Sequence, residues 1–243
     1  MGTAERRERE KLALQQKIID KGREILVNEG PAALTMRRLA DEIEYTAGAL
    51  YAHFADKEKL VRAICQTDFE AFTSQFSSAM AEKDPLKRLR LLAKLYARFA
   101  LEHPAQYKIL FVLDSVGGVE KERGNPEKDA YAIVELAVEA AMKEGHFKAF
   151  EGRTQLVAQS LWAAMHGVVS IEIRRVDDMQ IPFELIDDRV DVMCEVMLAG
   201  LDALETSAVL SAPAAGVKKQ SPARKAPARV VAKRRPAEGR KHT

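Results

Sequence analysis

The chain is expected to be all-α: a three-helix helix-turn-helix unit (homeodomain-like) at the N-terminus, a larger C-terminal helical bundle, and a disordered basic tail. Three observations predict this. Almost every segment repeats its apolar residues with a 3.6-residue period, and none alternates. The interruptions carry Gly and Pro. From about Ser207 the composition changes, with Pro213, Pro222, Pro227 and Pro236 spaced among alanines and lysines, too little apolar surface to bury a core. At 243 residues and 47% hydrophobic content, the remainder is long enough for a sizeable core. The expected organisation is a DNA-binding unit over 11–69, a second domain over 70–206, and the tail over 207–243.

Each element has a local reason. Ile18, Ile19, Ile25 and Leu26 form the apolar stripe of a first helix, which Gly30-Pro31 terminates. Thr35 is a good N-cap for a second helix, with Leu39 and Ile43 one turn apart on its inner face and Ala40 small enough for close packing. Glu44-Tyr45 breaks that run, and Thr46 caps a third helix. There Ala47, Leu50 and Phe54 point inward, leaving Tyr45, Thr46, Gly48, Ala49, Tyr51 and His53 outside. Asp56 caps a long fourth helix carrying Leu60, Ile64, Phe69, Phe72 and Phe76. The helices from there on are predicted at about 56–80, 85–103, 104–115, 126–144, 152–175 and 182–206. Asp84-Pro85 and Asn125-Pro126 each place a capping residue before a Pro at the first helical position. Gly145 ends the 126–144 helix, and 115–125, with Gly117-Gly118, reads as a loop.

Two short helices joined by a tight turn, the second ending Leu50-Tyr51-Ala52-His53-Phe54, outline a helix-turn-helix, which lays a short helix in the DNA major groove. The unit from about Lys11 to Phe69 resembles the DNA-binding region of TetR-type regulators. Their LTxRxLA…LYxHFxxK pattern stands here as Leu34-Thr35-Met36-Arg37-Arg38-Leu39-Ala40…Leu50-Tyr51-Ala52-His53-Phe54-Ala55-Asp56-Lys57. One position departs: the family has Gly in the turn and this chain has Glu44. A positive φ there would cost Glu about 1 kcal/mol relative to Gly.

On DNA, Tyr51, His53 and Lys57 are suited to clamp phosphates, since hydroxyl, imidazole and ammonium all donate to backbone oxygens. Thr35, at its helix N-terminus, can receive another phosphate. Arg37 is the candidate for direct reading, because a guanidinium matches guanine O6 and N7 bidentately. Arg38 reads equally as a phosphate contact or a solvated charge. Tyr45, Thr46, Ala47, Gly48 and Ala49 present small groups that let the backbone come close but offer few base hydrogen bonds, so sequence choice leans on Arg37, Thr46 and DNA shape.

Two later stretches resemble the branch of these regulators named for a Trp-His-Gly (WHG) signature. Tyr96-Ala97-Arg98-Phe99-Ala100-Leu101-Glu102-His103-Pro104-Ala105-Gln106-Tyr107 is similar to its helix-Pro-helix corner, and Leu161-Trp162-Ala163-Ala164-Met165-His166-Gly167 carries the signature. The resemblance implies an effector pocket and a dimer interface in this domain. Phe99, Tyr107, Phe111, Trp162, Met165 and His166 mix apolar bulk with polar tips, as ligand cavities do. Ile186, Val190, Met193, Met197 and Leu204 recur at three and four residues, Gly200 permits close approach, and Ala163, Ala164, Gly167 and Ser170 offer a small-residue face. Two helices per subunit would form a four-helix bundle about a two-fold axis.

Charge and chemistry bound the rest. Residues 218–243 hold ten Lys or Arg against Glu238, a charge of +9, so the chain's +2 leaves −7 for residues 1–217. Such a tail favours nonspecific DNA affinity through counterion release. Two cysteines, Cys65 and Cys194, imply no disulfide framework. No 18-residue apolar span and no signal peptide are read, which points to a cytoplasmic protein without membrane contact. A Gly-rich phosphate loop, HExxH, CxxC and G-x-S-x-G are all missing, and His103 and His166 have no sequence-readable partner, so no catalysis, metal or cofactor is expected. The expected function is a ligand-released repressor binding a palindrome in double-stranded DNA as a homodimer. The alternative is a nonspecific architectural DNA-binding protein relying on the tail.

Overall fold

The computed structural model describes residues 2–112, 124–174 and 181–205. Within them lie helices α1 (Thr3–Glu29), α2 (Met36–Glu42), α3 (Ala47–Tyr51), α4 (Lys57–Ser77), α5 (Pro85–Glu102), α6 (Pro104–Phe111), α7 (Ala130–Lys143), α8 (Thr154–Arg174) and α9 (Ile186–Ala203), with two short 3₁₀ turns and no strand among the described residues. The expected tail from 207 and most of the 115–125 loop lie outside the described residues.

Local capping sets most of the boundaries. Thr35, Thr46, Asp56 and Asp84 each accept a hydrogen bond from the backbone N–H three residues on, at 3.2, 3.2, 2.7 and 3.0 Å. α1 ends at Gly30, whose φ of 82° suits a residue without Cβ. One boundary is a correction. α7 starts at Ala130 rather than 126, because Asn125 spends its side chain on a local turn (Oδ1 accepts from the Glu127 N–H, 3.0 Å) and Asp129 caps the helix instead. α9 likewise starts at Ile186 rather than 182. α1 begins earlier than its apolar stripe, with residues 4–13 forming an exposed, charge-rich extension.

The N-terminal core gathers Ile18, Leu26, Leu34, Leu39, Leu50, Leu60 and Ile64, all fully buried, and Ile109 of α6 joins it. Gly22 lets α4 close on α1: a Cβ there would lie 3.0 Å from Ile64 Cδ1. At the same seam Arg23 of α1 pairs with Asp68 of α4 (Nη2···Oδ1 2.7 Å), and Asp68 is wholly buried. Burial pushes the Asp68 carboxyl up, while Arg23 pulls it back. The expected 69/70 domain boundary falls inside α4, which runs through it unbroken.

Behind this unit α5 is the hub, packed on α4, α6, α7, α8 and α9. α9 is clipped to α5 along one flank by Lys94–Asp191 and Arg90–Glu195. The expectation of no apolar span is corrected by α8, which is long and apolar enough to cross a membrane. It packs against α5, α7 and α9 and buries Val157, Ala158, Met165, Val168 and Val169.

Candidate nucleic-acid interface and ligand cavity

The turn between α2 and α3 is a Schellman motif. Tyr45 N–H reaches the Ala40 carbonyl at 2.9 Å, Glu44 N–H reaches that of Asp41 at 3.3 Å, and Glu44 sits between them at φ 60°. The position where TetR-type sequences carry Gly is therefore left-handed here, held by a glutamate. That geometry turns α3 outward. Leu50 and Phe54 anchor it from beneath, while Tyr45 (44% exposed) and Tyr51 (53%) stand in solvent beside exposed Thr46 and Gly48. Ala47 is half-buried against the core. Lys17 of α1 braces the turn, donating to the Ile43 carbonyl at 3.0 Å with its ammonium 5.3 Å from the Tyr45 ring centre.

The cations divide. Arg37 is exposed, and among the described residues it makes no ion pair or hydrogen bond through its side chain. Arg38 has protein partners: Nη1 and Nη2 grip the Glu29 carboxylate at 2.8 and 2.6 Å, and Nε donates to Glu42 at 2.7 Å. Those hydrogen bonds from Arg38 hold both carboxyls below the usual range. Its guanidinium ties α2 to α1. Lys57 also has a protein partner, the Pro31 carbonyl at 2.5 Å, and His53 is half-buried.

The C-terminal body contains a cavity of about 380 Å³ between α4, α5, α6, α7, α8 and α9. Of the residues named from the sequence, Phe111, Trp162 and Met165 line it, and Phe99, Tyr107 and His166 do not. Phe99 and Tyr107 are fully buried core. His166 Nδ1 lies 2.9 Å from the Tyr96 hydroxyl and 2.8 Å from that of Tyr107, and burial pushes the imidazole below its ordinary value, so it is neutral at pH 7. Sequence reasoning missed Tyr96, Asp129, Tyr131 and Gln159 in the wall. A signal existed for Asp129, a carboxylate directly before an apolar helical run. Among the described residues no group of His, Cys, Asp and Glu gathers to hold a metal ion.

Val190, one of the expected interface residues, is buried inside its own chain, and the reason is helical phase. The inner face of α9 is Val190, Cys194, Leu198 and Leu201. Ile186, Met193, Met197 and Leu204 lie along one flank of it, and the outward face carries Val192 (62% exposed) and Val196 (60%).

A helix-turn-helix presenting an open third helix, set on a hollow helical body, defines a regulator-like class of molecule. Residues 18–64 match bacterial regulatory proteins of the tetR family, and residues 89–199 match the tetracyclin repressor-like C-terminal domain. The chain belongs to the tetR family. The nucleoid occlusion factor SlmA of Aliivibrio fischeri is 36% identical over 84 residues, which is 34% of this chain and 43% of that protein. The chain thus spans less than half the length of that relative. The transcriptional regulator FadR of Bacillus subtilis, solved with stearoyl-CoA, superposes with a TM-score of 0.59 at 11% identity, covering 76% of this chain and 98% of that one. AibR, solved with isovaleryl coenzyme A and operator DNA, gives 0.57 at 16% identity over 76% and 97%. At such identities these two structures share the fold.

Proposed function

We propose that the chain is a cytoplasmic transcriptional repressor that binds a palindromic operator as a homodimer and is released by a small-molecule effector. The carrying observation is the outward face of α3, with Tyr51 and Tyr45 exposed above fully buried Leu50. In this reading Tyr45, Thr46 and Gly48 face the major groove, Ala47 seats the helix against the core, and Arg37 reads a base edge. Thr35, Tyr51, His53 and Lys57 position the unit on phosphates, Lys57 by exchanging its Pro31 carbonyl for a phosphate oxygen.

The outward faces of α8 and α9 support the dimer. Val192, Val196 and Gly200 are exposed on α9, and Ala163 and Ile171 are exposed on its packing partner α8, apolar and small side chains suited to helix packing across a two-fold axis. Met193, Met197 and Leu204 flank it. Two reading helices would then sit about one DNA turn apart, roughly 34–36 Å.

The route from effector to DNA is α4. Phe69, Phe72 and Phe76 line the cavity at one end of that helix, and Leu60 and Ile64 prop the DNA unit at the other. α6 runs beside it, with Tyr107 against His166, Ile109 in the N-terminal core and Lys108 on the Val27 carbonyl at 3.0 Å. A ligand that prefers the released arrangement by about 2–3 kcal/mol weakens operator binding some 30- to 150-fold.

The name of the Aliivibrio relative supports a second reading, a DNA-bound factor serving nucleoid occlusion. Selection of genomic fragments by the purified protein separates the readings. Palindromes at a few promoters support the first, and palindromes spread along the chromosome support the second. Enrichment of no sequence, with binding that collapses when 207–243 are deleted, would replace both with the architectural alternative.

A further inference from the structure

We propose that the ligand of the C-terminal cavity is an aromatic cation, held between ring faces and the buried Asp129 carboxylate. This rests on reading the cavity as the effector site and narrows its chemistry. At about 380 Å³ the cavity lies near the lower end for small-molecule sites. Its wall is largely aromatic, with Phe72, Phe76, Tyr96, Phe111, Tyr131 and Trp162 facing the space. Among the described residues that line it, the one charged side chain is Asp129, which is 5% exposed.

Asp129 already caps α7, and that accounts for only part of its capacity. Oδ1 accepts from the Tyr131 N–H at 3.1 Å, and Oδ2 accepts from the Gly124 N–H at a long 3.4 Å. A carboxylate has about four acceptor sites, so lone pairs remain for a donor in the cavity. A cation placed there meets an opposite charge in a low-dielectric setting and the negative faces of Trp162, Tyr96 and Tyr131. An anion would lose its hydration and meet a like charge at Asp129.

Trp162 is the chain's single tryptophan and lines the cavity, so intrinsic fluorescence reads its occupancy. The full chain is titrated with tetraphenylphosphonium, with neutral triphenylphosphine oxide and with stearoyl-CoA, with and without a selected operator fragment. Asp129→Asn and Asp129→Ser both keep an N-capping side chain and remove the charge. The cation is expected to bind at least about tenfold more tightly than the oxide, and both variants to lose that margin while oxide binding stays unchanged. Equal affinity for cation and oxide, cation affinity unchanged in the variants, or tighter binding of stearoyl-CoA overturns the proposal. Cation binding that leaves the operator complex intact keeps the cation site and overturns the effector reading instead.

Discussion

The two ends of α4 pass through different surroundings. Its first turns bury Leu60 and Ile64 completely among the aliphatic side chains of Ile18, Leu26, Leu39 and Leu50. Its last turns set Phe69, Phe72 and Phe76 around a cavity of about 380 Å³. Close-packed interiors transmit displacement because they have nowhere to absorb it, whereas a hollow interior can be filled and reshaped by a ligand. One continuous helix therefore joins a part that must keep its shape to a part that can change it.

Single substitutions can break that contrast. The largest effect is expected from Leu50→Ala, which opens a hole beneath α3 and should cost about 4 kcal/mol by urea unfolding, with loss of DNA binding. Trp162→Ala, at a 42% exposed position on the cavity wall, removes atoms bordering existing space and should cost about 1 kcal/mol or less. Equal costs would mean that the body is not hollow. Asp68→Asn tests the seam: Arg23 loses its buried partner, and a loss of about 3 kcal/mol is expected. A change below about 1 kcal/mol would show that α1 and α4 are not joined there.

Smaller effects sharpen the comparison. Tyr51→Phe should leave stability unchanged and weaken binding to every DNA site about tenfold, roughly 1.4 kcal/mol for one charge-assisted phosphate bond. Arg37→Ala should in addition relax the preference at one base position. For His166 the sign follows from burial. The folded pKa is depressed below the unfolded value near 6.5, so its contribution is full above that pH and declines below it, where only the unfolded chain takes up the proton. Urea midpoints measured from pH 7.5 to 5.5 should fall for the native chain and fall less for His166→Gln. Glu44→Gly should give the smallest effect: relief of about 1–2 kcal/mol of left-handed strain, offset by about 0.5–1 kcal/mol of chain entropy, nets a gain of about 0.5–1 kcal/mol.

The same contrast explains what could be read from the amino-acid sequence. The caps at Thr35, Thr46, Asp56 and Asp84 were legible because each is a contact over three residues. The turn was legible because Leu50 and Phe54 can only face the core if α3 faces out. Arg38 was not legible as a tie to α1, because its partner Glu29 lies nine residues back across a loop. In the hollow body, helical spacing is the same for an aromatic in the core, such as Phe99, and one on the wall, such as Phe111. Which side is empty depends on six helices at once. The burial of Val190 was hidden for the same reason, since periodicity gives the phase of an apolar face and not the neighbour that covers it. Asp129 lost out to an equally local signal four residues earlier.

The central claim is that α3 is offered to DNA twice, at a spacing fixed by a dimer of the helical body. Hydroxyl-radical footprinting of the full chain on a selected fragment tests it most directly. The account predicts two symmetric protected half-sites, their centres about 10–10.5 base pairs or a multiple of that apart, both fading together with Tyr51→Phe. A single protected segment, or protection without symmetry that survives Tyr51→Phe unchanged, would contradict it.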